Sequence, residues 1–175
     1  MKKSGFTIVE TLVAVAILMI AIAGPLTIVN KSLRAAMEAQ DQVTAAYLAQ
    51  DVIEYIENVR DNNKINNRTW LDKISDCTES SYCSLNTLTG NPNASGPALG
   101  AGIAACSSSC RLYLSAAGYS PDNTGTATKY SRYFYIVRNQ NNPDDEVKIV
   151  VMIKWMNGTV ESVVIYEAEI FDIIK

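Results

Sequence analysis

The sequence predicts an α+β fold in which one long N-terminal helix packs on a C-terminal antiparallel sheet. Three observations carry that expectation. Residues 6–29 form a run of 24 with one ionisable side chain, Glu10. Residues 30–62 lack proline and keep apolar residues close to i, i+3, i+4, i+7 spacing. Residues 130–171 are rich in aromatic and β-branched residues and alternate in polarity.

The chain opens on Met1-Lys2-Lys3-Ser4-Gly5, a short basic and polar leader. The apolar run that follows is long enough to span a hydrocarbon core of about 30 Å as a helix. Membrane contact is therefore assigned to residues 6–29. Lys2 and Lys3 favour a cytoplasmic N-terminus, although Lys31 and Arg34 flank the other end equally. Ala21-Ile22-Ala23 before Gly24 also satisfies the small-residue pattern of secretory cleavage. Two features oppose that reading. Glu10 interrupts what should be a purely apolar segment, and the helical pattern continues for some thirty residues beyond Ala23.

A carboxylate in hydrocarbon costs about 2.5–3.5 kcal/mol, so Glu10 needs a partner or must reach the headgroups. Cleavage after Gly5 would create an α-ammonium on Phe6, and such an ammonium on a neighbouring copy could neutralise Glu10 in a bundle of helices. Lys2-Lys3-Ser4-Gly5 followed by Phe6-Thr7-Ile8-Val9-Glu10-Thr11-Leu12-Val13 resembles the class III signal of type IV pilins and type II secretion pseudopilins. In that family a basic leader ends in Gly, Phe commonly follows, and Glu stands fifth in the mature chain. The resemblance implies cleavage between Gly5 and Phe6 by a membrane prepilin peptidase, N-methylation of Phe6, and a role for Glu10 in docking into a filament. It also implies the type IV pilin fold, with other pilin subunits and an assembly platform as partners. It covers roughly residues 2–60.

Gly24-Pro25 interrupts the run near its outer end. Proline removes the amide that would bond the Ala21 carbonyl, so a helix break, kink or local melting is expected there. From residue 30 the apolar face is read as Val43, Ala46, Tyr47, Gln50, Ile53, Ile56 and Val59, with Asp41, Asp51, Glu54, Glu57 and Arg60 mainly off it. The helix is expected to run from about residue 6 to 60, roughly 80 Å at a rise of about 1.5 Å per residue, and to end in Asp61-Asn62-Asn63. Residues 48–61 also look like the corresponding segment of V-type minor pilins and I-type pseudopilins.

At the C-terminus, Val147, Ile149, Val151, Ile153 and Trp155 share one face against Lys148 and Lys154. Asn157-Gly158 is the residue pair preferred by a type I′ hairpin. The return strand places Val160, Val164, Tyr166, Ala168 and Ile170 inward. Glu161, Glu167 and Glu169 face outward, with Glu161 or Glu167 expected to approach the lysines opposite. Three antiparallel strands with one apolar face need a cover, and the helix stripe supplies it. The organisation expected is a leader (1–5), a transmembrane or filament-core half-helix (6–29), an amphipathic half-helix (30–62), a variable cysteine-bearing region (63–129) and a sheet (130–175).

The middle region holds Cys77, Cys83, Cys106 and Cys110, besides Trp70, Leu71 and Ile74, which suit a short helical turn. Their spacing is not a zinc pattern and the chain has no histidine. A location outside the cytoplasmic membrane permits disulfides. Four cysteines allow three pairings, with the local pairs Cys77–Cys83 and Cys106–Cys110 slightly favoured. Asp122-Asn123 and Asp144-Asp145-Glu146 offer oxygen ligands for calcium, but Asn142-Pro143-Asp144 reads more simply as a turn. Asn67, Asn93 and Asn157 open N-x-S/T sequons, relevant only in a glycosylating host.

Composition disfavours several functions. A net charge of −3 provides no field to attract nucleic acid. Zero histidine removes the commonest general base, and no nucleophile–base arrangement or phosphate-binding glycine loop is visible. No cofactor is expected, no metal site is assigned, and the chain is read as a non-enzyme. The expected function is a minor pilin subunit of a type IV pilus or related filament. The alternatives are a type II secretion pseudopilin and a membrane-anchored extracellular binding protein that does not polymerise.

Overall fold

The computed structural model describes residues 5, 7–88, 102–106 and 109–172. Helix α1 runs Ile8–Ile65. Seven strands follow: β1 (Cys83–Leu85), β2 (Ile103–Ala105), β3 (Arg111–Ser115), β4 (Gly118–Ser120), β5 (Thr126–Arg138), β6 (Glu146–Asn157) and β7 (Val160–Phe171). The chain divides into two compact units, Met1–Val43 and Thr44–Lys175. The first contains the apolar part of α1. The second contains the rest of α1 and the whole sheet.

Helix α1 continues through Gly24 and Pro25, so the expected break does not end it. The Thr27 hydroxyl bonds back to the carbonyls of Gly24 (2.6 Å) and Ala23 (3.3 Å), satisfying backbone next to the missing proline amide. The C-terminus also lies beyond the expected stop, because asparagines act here as caps rather than breakers. Amide side chains of Asn58, Asn62 and Asn66 each donate to the carbonyl four residues back. Asn67 takes a left-handed conformation, φ 54°. Its amide bonds Lys64 O (3.1 Å) and the Arg68 amide bonds Asn63 O (2.8 Å), the paired bonds of a Schellman motif.

The face of α1 that enters the core is Ala45, Leu48, Ala49, Val52, Tyr55, Ile56 and Val59. This corrects the face read from the sequence. Ile56 and Val59 are shared, whereas Val43 and Tyr47 are exposed and Ala46 and Ile53 only half-buried. Ala45 and Ala49 are fully buried although they carry little apolar surface, whereas the larger Val43 and Tyr47 lie on the uncovered side of the helix.

The sheet is antiparallel throughout. Central β5 pairs with β6 along one side and with β1 and β3 along the other. β2 extends β1, β4 extends β3, and β7 lies outside β6. Val147, Ile149, Val151, Ile153 and Trp155 are all buried, as their alternation predicts. On β7 the alternation holds for Val164, Tyr166, Ala168 and Ile170, while Val160 at the hairpin tip is exposed. That hairpin closes Asn157 opposite Val160 around Gly158-Thr159. Gly158 has φ 66° and Thr159 is not left-handed, the sign pattern of a type II′ turn rather than the type I′ expected. The region read as a variable loop, 63–129, holds four short strands and the start of β5. Trp70, Leu71 and Ile74 form a buried turn after the helix.

Candidate processing signal and assembly helix

The first turn of α1 is built by Thr7. Its hydroxyl accepts the Glu10 amide (3.3 Å) and its carbonyl accepts the Thr11 amide (3.2 Å). Thr7 is thus the N-cap and Glu10 the third helical residue, the spacing of a capping box. A carboxylate there is also favoured by the amide dipoles of the first turn. Gly5 is exposed just outside this cap, and nothing lies within 4 Å of a Cβ built on it. Phe6, Lys2 and Lys3 lie outside the described residues.

Beyond the cap the helix is apolar on every side and uncovered. Ile8, Leu12, Ile17, Met19, Ile20, Ile22, Leu26 and Ile28 are each more than half exposed. By length and composition this helix can cross a membrane. A helix apolar all round is stable only where lipid or other apolar helices surround it. Gly24, with nothing within 4 Å, leaves a smooth place on that surface.

The second unit is stapled and buttressed by features with different sequence visibility. The structure pairs Cys77 with Cys83 (Cα–Cα 5.4 Å) and Cys106 with Cys110 (5.8 Å). Each pair is tied to β5, since Cys77 O accepts the Ile136 amide (2.9 Å) and Cys110 O the Arg132 amide (3.0 Å). Arg132 itself is missed by sequence reading. It occupies an inward position of β5 and its side chain is fully buried. The guanidinium donates to Asp51 Oδ2 (2.7 Å), Leu48 O (3.1 Å) and Leu85 O (2.9 Å). Burial pushes the Arg132 pKa down and the bond to Asp51 pushes it back up. The hint in the sequence is a charged residue at an even position flanked by the apolar even positions Tyr130, Phe134 and Ile136.

The outer sheet face carries Tyr82 against Tyr133 (5.0 Å between centroids) and Tyr135 (5.5 Å), with Lys154 over the Tyr133 ring. Hydrogen bonding to Tyr133 raises the Lys154 pKa, and bonding to Glu167 raises that of Lys148. Lys148 bridges Glu167 at 3.0 Å, one of the cross-strand contacts expected. The acidic stretches considered for calcium make hydrogen bonds within the fold. Asp122 accepts from the Asn86 side chain, and Glu146 accepts from Asn139. Asp144 O holds the Trp70 indole at 2.9 Å. Among the described residues no group of three acidic or cysteine side chains converges on a point.

An exposed, capped apolar helix and a helix packed on an antiparallel sheet are consistent with the α+β type IV pilin fold. The family model described as the prokaryotic N-terminal methylation motif matches residues 1–24, which is the prepilin signal of type IV pilins. The motif supports a type IV pilin-like or pseudopilin protein, and motif and fold together point to a structural subunit. The motif implies processing by prepilin peptidase, assembly with other pilins, and membrane anchoring beforehand. Neither the curated proteins nor the solved structures compared with the chain match it.

Proposed function

We propose that the chain is a minor pilin subunit of a type IV pilus or related filament. The leader is cut between Gly5 and Phe6, Phe6 is N-methylated, and the apolar helices leave the bilayer together to form a filament core. Glu10 then pairs with the N-terminal amine of a neighbouring subunit. The observation that supports this most is the coincidence of the methylation motif with a helix whose apolar residues are exposed all round. In the uncleaved chain Glu10 sits in the first helical turn beside the Thr7 cap. Cutting after Gly5 would place the new ammonium one residue before that cap, close to where a docking carboxylate is needed.

Two cysteine pairs would then hold the displayed face in a location where disulfides persist. Loss of Lys2 and Lys3 takes the formal charge from −3 to −5, which leaves nucleic acid an unfavourable ligand for the body as a whole. The test is incorporation of Glu10→Ala. The variant should insert in the membrane at wild-type level and be strongly depleted from sheared filaments. Equal incorporation removes the pairing step. The similarity of residues 48–61 to I-type pseudopilins supports a type II secretion pseudopilus as the second reading. A secretion defect on deletion, with pili intact, selects it.

A further inference from the structure

The two margins of the sheet are built differently. On one side β1, β2 and β4 are three residues each. Such short edges are the usual protection against strand addition. On the other side β7 runs twelve residues and pairs only with β6, in unbroken register from Asn157↔Val160 to Glu146↔Phe171. It contains no proline, no lysine and no bulge. Among the described residues nothing pairs with its second edge, so every second amide and carbonyl along it faces outward.

We propose that the free edge of β7 binds an extended protein strand of alternating apolar and basic residues, by β-strand addition. The chemistry comes from β7's two faces. Its outward positions carry Glu161, Glu167 and Glu169, with the exposed Val163, Ile165 and Phe171 on the same row. Its inward positions Val164, Tyr166 and Ala168 are only half-buried, although β6 covers one side of them. An added strand would cover the remaining apolar surface with its own inward residues and place cations opposite the glutamates. β6 already shows this match. It sets apolar residues beside β7's inner row and Lys148 on Glu167. A second copy of β7 is the poorer partner: it has no basic residue, so even the register about residue 166 sets Glu161, Glu167 and Glu169 on Phe171, Ile165 and Val163 rather than on cations. Two-fold antiparallel pairings about residue 164, 165 or 168 put Glu161 on Glu167, Glu161 on Glu169 or Glu167 on Glu169, and like charges directly opposite oppose pairing.

This proposal stands apart from the filament reading, since it concerns the sheet alone. The test is amide exchange on the full-length chain in detergent micelles, with and without a twelve-residue synthetic peptide alternating valine and lysine. In the free protein every second β7 amide should exchange fast. The peptide should slow those amides roughly tenfold or more at saturation. A peptide alternating valine and glutamate should bind about tenfold or more weakly. The Glu161→Lys/Glu169→Lys variant should weaken the lysine peptide similarly, with exchange in β5 and β6 unchanged as the folding control. N-methylation of every second peptide bond should abolish binding, because it removes the ladder donors and keeps the side chains. Slow β7 edge amides in the free protein, no slowing at saturating peptide, or equal binding of the N-methylated peptide overturns the proposal.

Discussion

Replacing Asp51 with alanine removes the carboxylate that pairs with the buried Arg132 guanidinium. Breaking a fully buried ion pair costs about 3–5 kcal/mol, because the surviving charge stays desolvated. Two facts lower that figure here. The Asp51 side chain is 44% exposed, so solvent already screens the pair. Arg132 also keeps its bonds to Leu48 O and Leu85 O. What is lost is close to one charge-assisted hydrogen bond, about 2 kcal/mol. For a unit of this size that corresponds to a fall in Tm of roughly 5–8 °C. Urea unfolding of the full-length chain in micelles reads it through Trp70 and Trp155, both buried in the same core. The double variant Asp51→Ala/Arg132→Met should cost less than the sum of the two single changes, since the second removes the charge that the first orphans. A cost for Asp51→Ala below about 0.5 kcal/mol, or strict additivity, refutes this account of the buried arginine.

Tyr55 tests the alkaline limb of stability. Burial raises its pKa above the ordinary 10.0, with the Gly102 backbone opposing, and among the described residues the hydroxyl has no partner of good hydrogen-bond geometry. The unfolded chain therefore loses this proton first, and stability falls as pH rises past about 10. The raised pKa of Lys154 acts in the same direction, its contribution being complete below 10.5 and lost as pH rises through the folded value. Tyr55→Phe should flatten the fall above pH 10 in a urea titration series; an unchanged slope refutes the assignment. Removing Cys77–Cys83 by a double serine substitution should cost about 2 kcal/mol in loop entropy, plus a packing loss because both cysteines are buried. Gly125→Ala should destabilise by about 1–3 kcal/mol, because its Cβ would overlap the Leu114 carbonyl. Gly24→Ala, in open space within the helix, should leave the melting of the sheet unit unchanged. Circular dichroism melts compare the two glycine variants directly.

How legible each element was depended on how much periodic sequence it spans. Strands β6 and β7 are twelve residues each, long enough for period-two alternation to fix which side chains turn inward. Strands of three to five residues in the polar middle have no period to read, so β1 to β4 were invisible. The helix face was misplaced because Val43 and Tyr47 carry more apolar surface than Ala45 and Ala49. Two of the seven buried positions are alanines, whose small apolar surface weighs little in a hydrophobic pattern. Asp61-Asn62-Asn63 read as a breaker cluster, yet the helix continues through it and is closed by Asn67, with Asn63 buried and its amide bonding the carbonyls of Trp70 and Asp72. The processing signal was legible because it is chemistry written along ten consecutive residues, with no dependence on tertiary contacts. Arg132 was hidden for the opposite reason, since its three partners come from α1 and β1, far away in the chain.

Mass spectrometry of filaments sheared from cells with an active prepilin peptidase tests the central claim most directly. The filament reading predicts that this chain is present below the abundance of the main subunit, and that it begins at N-methylated Phe6. A chain that keeps Met1 in such cells, or one found only in the membrane fraction, contradicts it.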